Sequence, residues 1–265
     1  NFGEVDVNGI PNFMPSLSAR LKGKLGIKRR DCINYDMIFG CPGWVEGLIL
    51  ADTMIKAGKA KTVLVVGGET LSRVTDPYDR NKMIFADGAG AVVVTATEDS
   101  KVGVLADSTL CDNGEELCYL ENGPSLNLEH NQSQLFIRMR GRKIYEYALK
   151  NVPDAIKATI DKAGLDISDI HKILIHQANA KMDYAMIGRL FKLYGKKDYD
   201  HAISPMTIQQ FGNSSVATVP TLFDLIRKGK MEGQSFAPGS HILFTSVGAG
   251  MNINCVVYKF PEGKI

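Results

Sequence analysis

The chain has 265 residues, 45% hydrophobic and 23% charged, enough for one large domain or two modest ones with a real core. A net charge of +2 carries no preference for polyanions, so nothing in the composition points to nucleic acid. No apolar run reaches membrane-spanning length, the opening Asn1-Phe2-Gly3-Glu4 lacks signal-peptide character, and five scattered cysteines with no C-x-x-C and no zinc spacing suit a reducing cytoplasm, free thiols and no metal.

In chain order, Pro15-Ser16 opens a helical pattern in which Leu17, Leu21 and Leu25 recur every four residues and Gly26 is the stop. Residues 33–39 read as a mostly apolar strand. The turn Phe39-Gly40-Cys41-Pro42-Gly43-Trp44 then feeds a helix over 45–57, with Val45, Leu48, Ile49 and Ile55 as its apolar stripe and Gly58 after it. The β-branched run 62–66 predicts a fully buried strand. Asp76-Pro77-Tyr78-Asp79 is a turn, and Asp87-Gly88-Ala89-Gly90 leads into a second buried strand over 91–94. A strand over 101–107 precedes a polar, irregular stretch over 108–132. That stretch is the natural connection between two halves, 1–128 and 129–265.

The second half opens with a strand over 135–139 and a helix over 142–163 whose apolar face is Ile144, Ala148, Val152, Ile156 and Ile160. Pro153 should kink or split that helix. A buried strand over 172–176, helices over 181–194 and 214–228, and strands over 241–247 and 251–260 follow. The last two flank Gly248-Ala249-Gly250. Strands alternating with helices predict a layered α/β fold.

Two stretches share one order. Phe39-Gly40-Cys41 opens a helix, then come an apolar strand, a Gly-Ala-Gly turn at 88–90 and another strand. Phe211-Gly212-Asn213 opens a helix, then an apolar strand, Gly248-Ala249-Gly250 and another strand. The pattern predicts two copies of one α/β unit. Upstream of Asn213 lie a strand, a long helix and a strand, but only forty residues precede Cys41. Equivalent copies would require a strand and helix that this chain does not contain at its start, so the first half is expected to be incomplete.

The duplication gives the cysteine a context. At a helix N-terminus, Cys41 meets partial positive charge that favours a thiolate, and Pro42 fits the first helical position. A cysteine in apolar surroundings also serves as a small core residue, and the turn alone does not separate the two roles. Pseudo-twofold symmetry sets Asn213 at the equivalent helix start. His176-Gln177-Ala178-Asn179 follows the carboxyl end of a buried strand, where ligands gather in α/β sheets. Singly, Asn213 suits helix capping and His176 a satisfied strand end. Together a cysteine, a histidine and an asparagine converge on one site.

These residues resemble the condensing enzymes of the thiolase superfamily, most nearly β-ketoacyl-acyl carrier protein synthase III. The matching stretches are Gly40-Cys41-Pro42-Gly43-Trp44, Asp76-Pro77-Tyr78-Asp79-Arg80, Phe85-Ala86-Asp87-Gly88-Ala89-Gly90-Ala91, His176-Gln177-Ala178-Asn179, Phe211-Gly212-Asn213-Ser214-Ser215 and Val247-Gly248-Ala249-Gly250. They occur in family order over nearly the whole chain. The resemblance implies a thiolase-like fold of two duplicated halves in α-β-α-β-α layers. It implies a cytoplasmic homodimeric acyltransferase with no permanently bound cofactor, whose substrates are an acyl-coenzyme A and malonyl-acyl carrier protein.

The resemblance also implies roles. Cys41 is acylated by the primer thioester, and the malonyl group loses carbon dioxide as its enolate attacks the acyl-cysteine. His176 and Asn213 supply donors to the enolate oxygen. The backbone N–H of Cys41 and one from Gly248, Ala249 or Gly250 serve the acyl oxyanion. Substrate contacts carried over from the family are Phe13, Arg80, Gly141, Arg142, Tyr145, Ala178 and Asn179, with Phe13 reaching a partner's acyl tunnel. Arg140 and Arg142 flank Gly141 and either meet phosphates or stay solvated.

The pattern departs in places. The family's first βαβ segment, with part of the nucleotide site, has no counterpart here. Trp44 suits core filling, and Met251-Asn252-Ile253-Asn254 replaces a tryptophan-containing run. Cys255 stands within a strand rather than at the glycine loop, which speaks against thiolase chemistry. Enzymes of specialised lipid or polyketide synthesis, and a non-catalytic partner subunit of the same fold, remain alternatives.

Overall fold

The structure is a computed structural model and describes residues 4–6, 8 and 10–263; Asn1–Gly3 lie outside it. A mixed sheet forms the centre, built from β5 (Gly103–Cys111), β10 (Asn252–Lys259), β9 (His241–Gly248) and β8 (Ile170–Ile175) in that order. β10 is antiparallel to both neighbours, and β8 is parallel to β9. β5 therefore carries the chain from residues 1–128 into a sheet otherwise made by residues 129–265.

Period-two alternation splits this sheet between two cores. Ile173, Ile175, Leu243, Ile253 and Val257 face α3 (Gly141–Lys162) and α4 (Ala180–Leu193). Leu174, Ile242, Phe244 and Val256 face α2 (Gly43–Lys56) and α6 (Thr218–Arg227). Beyond α2 and α6 lies a hairpin, β3 (Thr62–Glu69) with β4 (Gly88–Thr95). The order is α, β, α, β. Trp44 fills the second core, edge-on to Phe244 at 5.7 Å. A fully buried side chain of this size contributes about 2–3 kcal/mol.

Several sequence expectations change. β3 and β4 are not fully buried strands: Val65 and Gly67 face the core, while Leu64 (44% exposed), Val66 (45%) and Val93 (63%) form an exposed outer face. Gly88-Ala89-Gly90 is no turn. It lies inside β4, paired with Glu69, Gly68 and Gly67. Gly90 is a strand residue because the hairpin presses on α6, where a Cβ would stand 2.6 Å from the Pro220 Cβ. Residues 33–39 form no strand. Asp36 instead accepts hydrogen bonds from the Leu17 and Ser18 N–H groups at the start of α1 (Leu17–Lys24), each at 2.8 Å. That contact satisfies orphan donors at a helix N-terminus.

The expected irregular connection is partly regular too, since β5 runs on to Cys111. β6 (Leu120–Gly123) then pairs with β7 (Phe136–Met139). Pro153 does not split α3, which runs unbroken from Gly141 to Lys162. The proline removes one backbone donor, but Ala148, Val152, Ile156 and Ile160 are buried on the same face, and that packing outweighs one lost rung. Pro42 stands at the N-cap of α2 rather than at its first helical residue. The remaining helices and strands fall within a few residues of expectation, with α1 capped by Ser16 and glycines of positive φ after α1, α2, α4 and α6. Among the described residues no helix is long and apolar enough to cross a membrane.

Candidate active site

Cys41 sits immediately before the N-cap of α2, in a turn closed by the Gly43 N–H donating to the Gly40 carbonyl at 2.9 Å. β10 holds the turn from below: the Asn254 Nδ2 donates to the Pro42 carbonyl at 2.8 Å. The end of β9 approaches from the side. A Cβ on Gly248 would lie 2.6 Å from the Pro42 Cδ and 2.9 Å from the Cys41 Cβ, so only glycine lets backbone come this near. Ala249 packs against Gly40, and the Asn252 Nδ2 donates to the Ala249 carbonyl at 2.7 Å.

Asn213 arrives from the segment ahead of α6. Its backbone N–H donates to the Ile84 carbonyl at 2.7 Å and its carbonyl accepts from the Ala86 N–H at 2.9 Å. The Phe85–Gly90 and Phe211–Ser215 motifs are thus clamped in parallel at Phe85 and Asn213. The Asn213 Oδ1 accepts from the Ser215 N–H at 2.8 Å, leaving the Nδ2 hydrogens as donors for a ligand.

His176 follows β8 and is 2% exposed. Its Nδ1 lies 2.7 Å from the Thr218 Oγ1, whose one hydrogen reaches the Ser215 carbonyl at 2.9 Å. Burial drops the imidazole pKa to about 4, so the ring is neutral at physiological pH. Ser215 connects the rest: its Oγ is 3.3 Å from the Cys41 Sγ and 3.2 Å from the Glu69 Oε1 at the end of β3. Ser215, at φ 52°, is the non-glycine residue with positive φ among those described.

The thiol is not depressed as its helix N-terminus alone predicts. Burial pushes Cys41 up to about 11; the Ser215 hydroxyl pulls it back, and the Glu69 carboxylate adds to the rise. Desolvation outweighs the partial charge of the helix end. Cys255 behaves as a core residue, buried in β10 with its Sγ 3.2 Å from the Thr245 Oγ1.

The structure therefore draws Cys41, Asn213 and the glycine loop at 248–250 together, and links His176 to them through Thr218 and Ser215. The carried-over substrate contacts are dispersed. Arg80 lines a cleft of about 890 Å³ with Tyr78, Glu121, Arg138 and Arg140. Arg142, next to Gly141 at the start of α3, is exposed and paired at 2.8 Å with Glu146 one turn further on. Tyr145 and Ala178 are half-buried against the first core. Asn179 caps α4, its Oδ1 accepting from the Met182 N–H at 3.3 Å. Phe13 is 61% exposed near the N-terminus. Glu69 and Thr218 were not singled out from sequence, and Asn254 was named only within the run after the glycine loop. Ser215 stood within a recognised motif but carried no role, because a serine's partners across the chain leave no local pattern.

Comparison with known proteins gives a consistent match. Residues 35–114 match the family described as 3-Oxoacyl-[acyl-carrier-protein (ACP)] synthase III, and residues 160–260 match its C-terminal counterpart. The β-ketoacyl-[acyl-carrier-protein] synthase III of Erythrobacter litoralis is 35% identical over 254 residues, spanning 94% of this chain and 74% of the relative. The crystal structure of the Aquifex aeolicus 3-oxoacyl-[acyl-carrier-protein] synthase III superposes with a TM-score of 0.77 at 30% identity, covering 94% of this chain and 73% of that one. The Pseudomonas aeruginosa enzyme gives 0.80 at 27% identity, covering 96% and 74%.

Proposed function

The chain belongs to the 3-oxoacyl-[acyl-carrier-protein] synthase III family, an acyltransferase family that initiates fatty acid synthesis, and we propose that Cys41, His176 and Asn213 carry its reaction. The observation that carries this reading is the Cys41 Sγ at the meeting of α2, β9 and the Asn213–Ser215 turn, with glycine backbone against it.

Cys41 attacks the carbonyl of an acyl-coenzyme A and releases the coenzyme thiol. The negative charge that develops on the carbonyl oxygen meets the Cys41 N–H and a donor from Gly248, Ala249 or Gly250. Malonyl-acyl carrier protein then loses carbon dioxide, and the electron pair left behind becomes an enolate. The Asn213 Nδ2 and the His176 Nε2 donate to its oxygen. A neutral His176 donates from Nε2 only if Nδ1 is an acceptor, which requires the single Thr218 hydroxyl hydrogen to turn from the Ser215 carbonyl to Nδ1. The enolate carbon attacks the acyl-cysteine and the thiolate leaves, giving the β-ketoacyl product.

The finer parts of the reading rest on the same family. The division at 128/129 into duplicated halves is supported by a shared order of helix, strand and antiparallel strand, α2–β3–β4 and α6–β9–β10. A homodimer is supported by exposed apolar side chains at Phe13, Met14, Ile33 and Ile38. Arg80 and Arg140, in one cleft, are the candidates for substrate phosphate.

Intact mass after incubation with acetyl-, butyryl- and octanoyl-coenzyme A tests the nucleophile. The expected result is one acyl adduct, lost in Cys41→Ala. No adduct on the wild type from any of the three thioesters would overturn the assignment.

A further inference from the structure

A half-buried thiol held up near 11 cannot acylate quickly at neutral pH unless something takes its proton. Two groups close to the Cys41 sulfur are unused by the reaction as described. The Ser215 Oγ lies 3.3 Å from the Cys41 Sγ and 3.2 Å from the Glu69 Oε1. Among the described residues, Glu69 is the charged side chain that bears on the thiol. A hydroxyl has one hydrogen, so Ser215 serves one neighbour at a time.

The two possible arrangements are the two ends of a proton transfer. In the first, the Cys41 S–H donates to the Ser215 Oγ and the Ser215 O–H donates to the Glu69 carboxylate. In the second, a protonated Glu69 donates to the Ser215 Oγ and the Ser215 O–H donates to the Cys41 thiolate. The backbone agrees, because Ser215 is held at φ 52° with its N–H on the Asn213 Oδ1 and its carbonyl on Thr218. A non-glycine residue kept in this sparsely populated region costs energy and persists where the surroundings fix it.

We propose that Glu69 is the proton acceptor for Cys41 in the acylation step, reached through the Ser215 hydroxyl. The inference rests on Cys41 being the nucleophile. The proton passes from sulfur to Ser215 while the Ser215 proton passes to Glu69, leaving a thiolate and a neutral carboxylic acid. The thiolate forms its bond to the acyl carbon, and the carbon–sulfur bond to coenzyme A breaks with the electron pair on the leaving sulfur. Glu69 returns its proton by the same route to that leaving thiolate, so the carboxylate is restored and neutral coenzyme A departs.

Single-turnover acylation of the full-length protein, followed by quenched intact mass from pH 6 to pH 10 with the same three acyl-coenzyme A thioesters, tests this. Glu69→Gln should acylate about 100-fold more slowly than wild type at pH 7, with the gap closing at the alkaline end, as general-base loss requires. Glu69→Asp should recover part of the rate. Ser215→Ala interrupts the same path without changing the demand on φ, and should show the same pH-dependent loss even if a Glu69 variant folds poorly. A merely neighbouring charge gives the opposite result, since its removal favours the thiolate and speeds acylation. Glu69→Gln and Ser215→Ala acylating at wild-type rate or faster at pH 7 would overturn the relay alone. A wild type that takes no adduct would overturn the nucleophile and the relay together.

Discussion

At the residue scale, the site depends on protons assigned by neighbours. His176 is buried and neutral, and its usefulness as a donor depends on which nitrogen carries hydrogen. Thr218 sets this through the 2.7 Å contact with Nδ1, making Nδ1 the acceptor when its one hydrogen faces the ring rather than the Ser215 carbonyl. Thr218→Val keeps the shape and removes the hydroxyl, leaving Nδ1 without its partner at a cost of about 1–3 kcal/mol. Formation of β-ketoacyl product should fall about tenfold or more while acylation of Cys41 stays near wild type. The check is product turnover set against adduct formation by mass; equal losses in both would assign Thr218 a purely structural part. Cys41, His176 and Asn213 were legible as residue types beside turn and strand-end signals. Their protonation was not. The helix N-terminus suggested an acidic thiol, and only the packing around Cys41 shows that desolvation wins.

At the element scale, small residues let a hairpin and a helix meet. Gly67, Gly88 and Gly90 in β3 and β4 lie against Val216, Ser214 and Pro220, with ideal Cβ positions 2.8, 2.8 and 2.6 Å from those neighbours. That close approach sets the height of the Asn213–Ser215 turn over Cys41. Gly90→Ala should therefore destabilise the protein by about 1–3 kcal/mol through overpacking. A fall in the urea midpoint at unchanged m-value is the measurement, and an unshifted midpoint would mean that the hairpin gives way freely. The sequence showed Gly-Ala-Gly twice and suggested two turns. One is a strand, because glycine serves close packing as readily as it serves a bend. Residues 33–39 show the converse: among the described residues no strand pairs with this β-like apolar run, and Asp36 ties it to α1 instead.

At the scale of the whole molecule, folding keeps His176 out of water, and stability should report it. The unfolded histidine binds a proton below its ordinary value of 6.5, while the folded one resists until about 4. The unfolded chain therefore holds more protons between these values. Stability is full above 6.5 and declines as pH falls towards 4, by on the order of 3 kcal/mol from this group. Denaturant unfolding at pH 7.5 and 4.5 measures the decline, and His176→Gln should flatten it. An identical decline in that variant would trace the dependence to other groups. The sequence by itself determined most of the helices and strands and the family motifs, because hydrophobic period, caps and glycine stops act within a few residues. Tertiary structure alone decided which strands share a sheet, which strand faces are covered, and that Glu69 and Ser215 stand beside Cys41. Those outcomes depend on contacts between residues far apart in the chain, and on the desolvation such contacts impose.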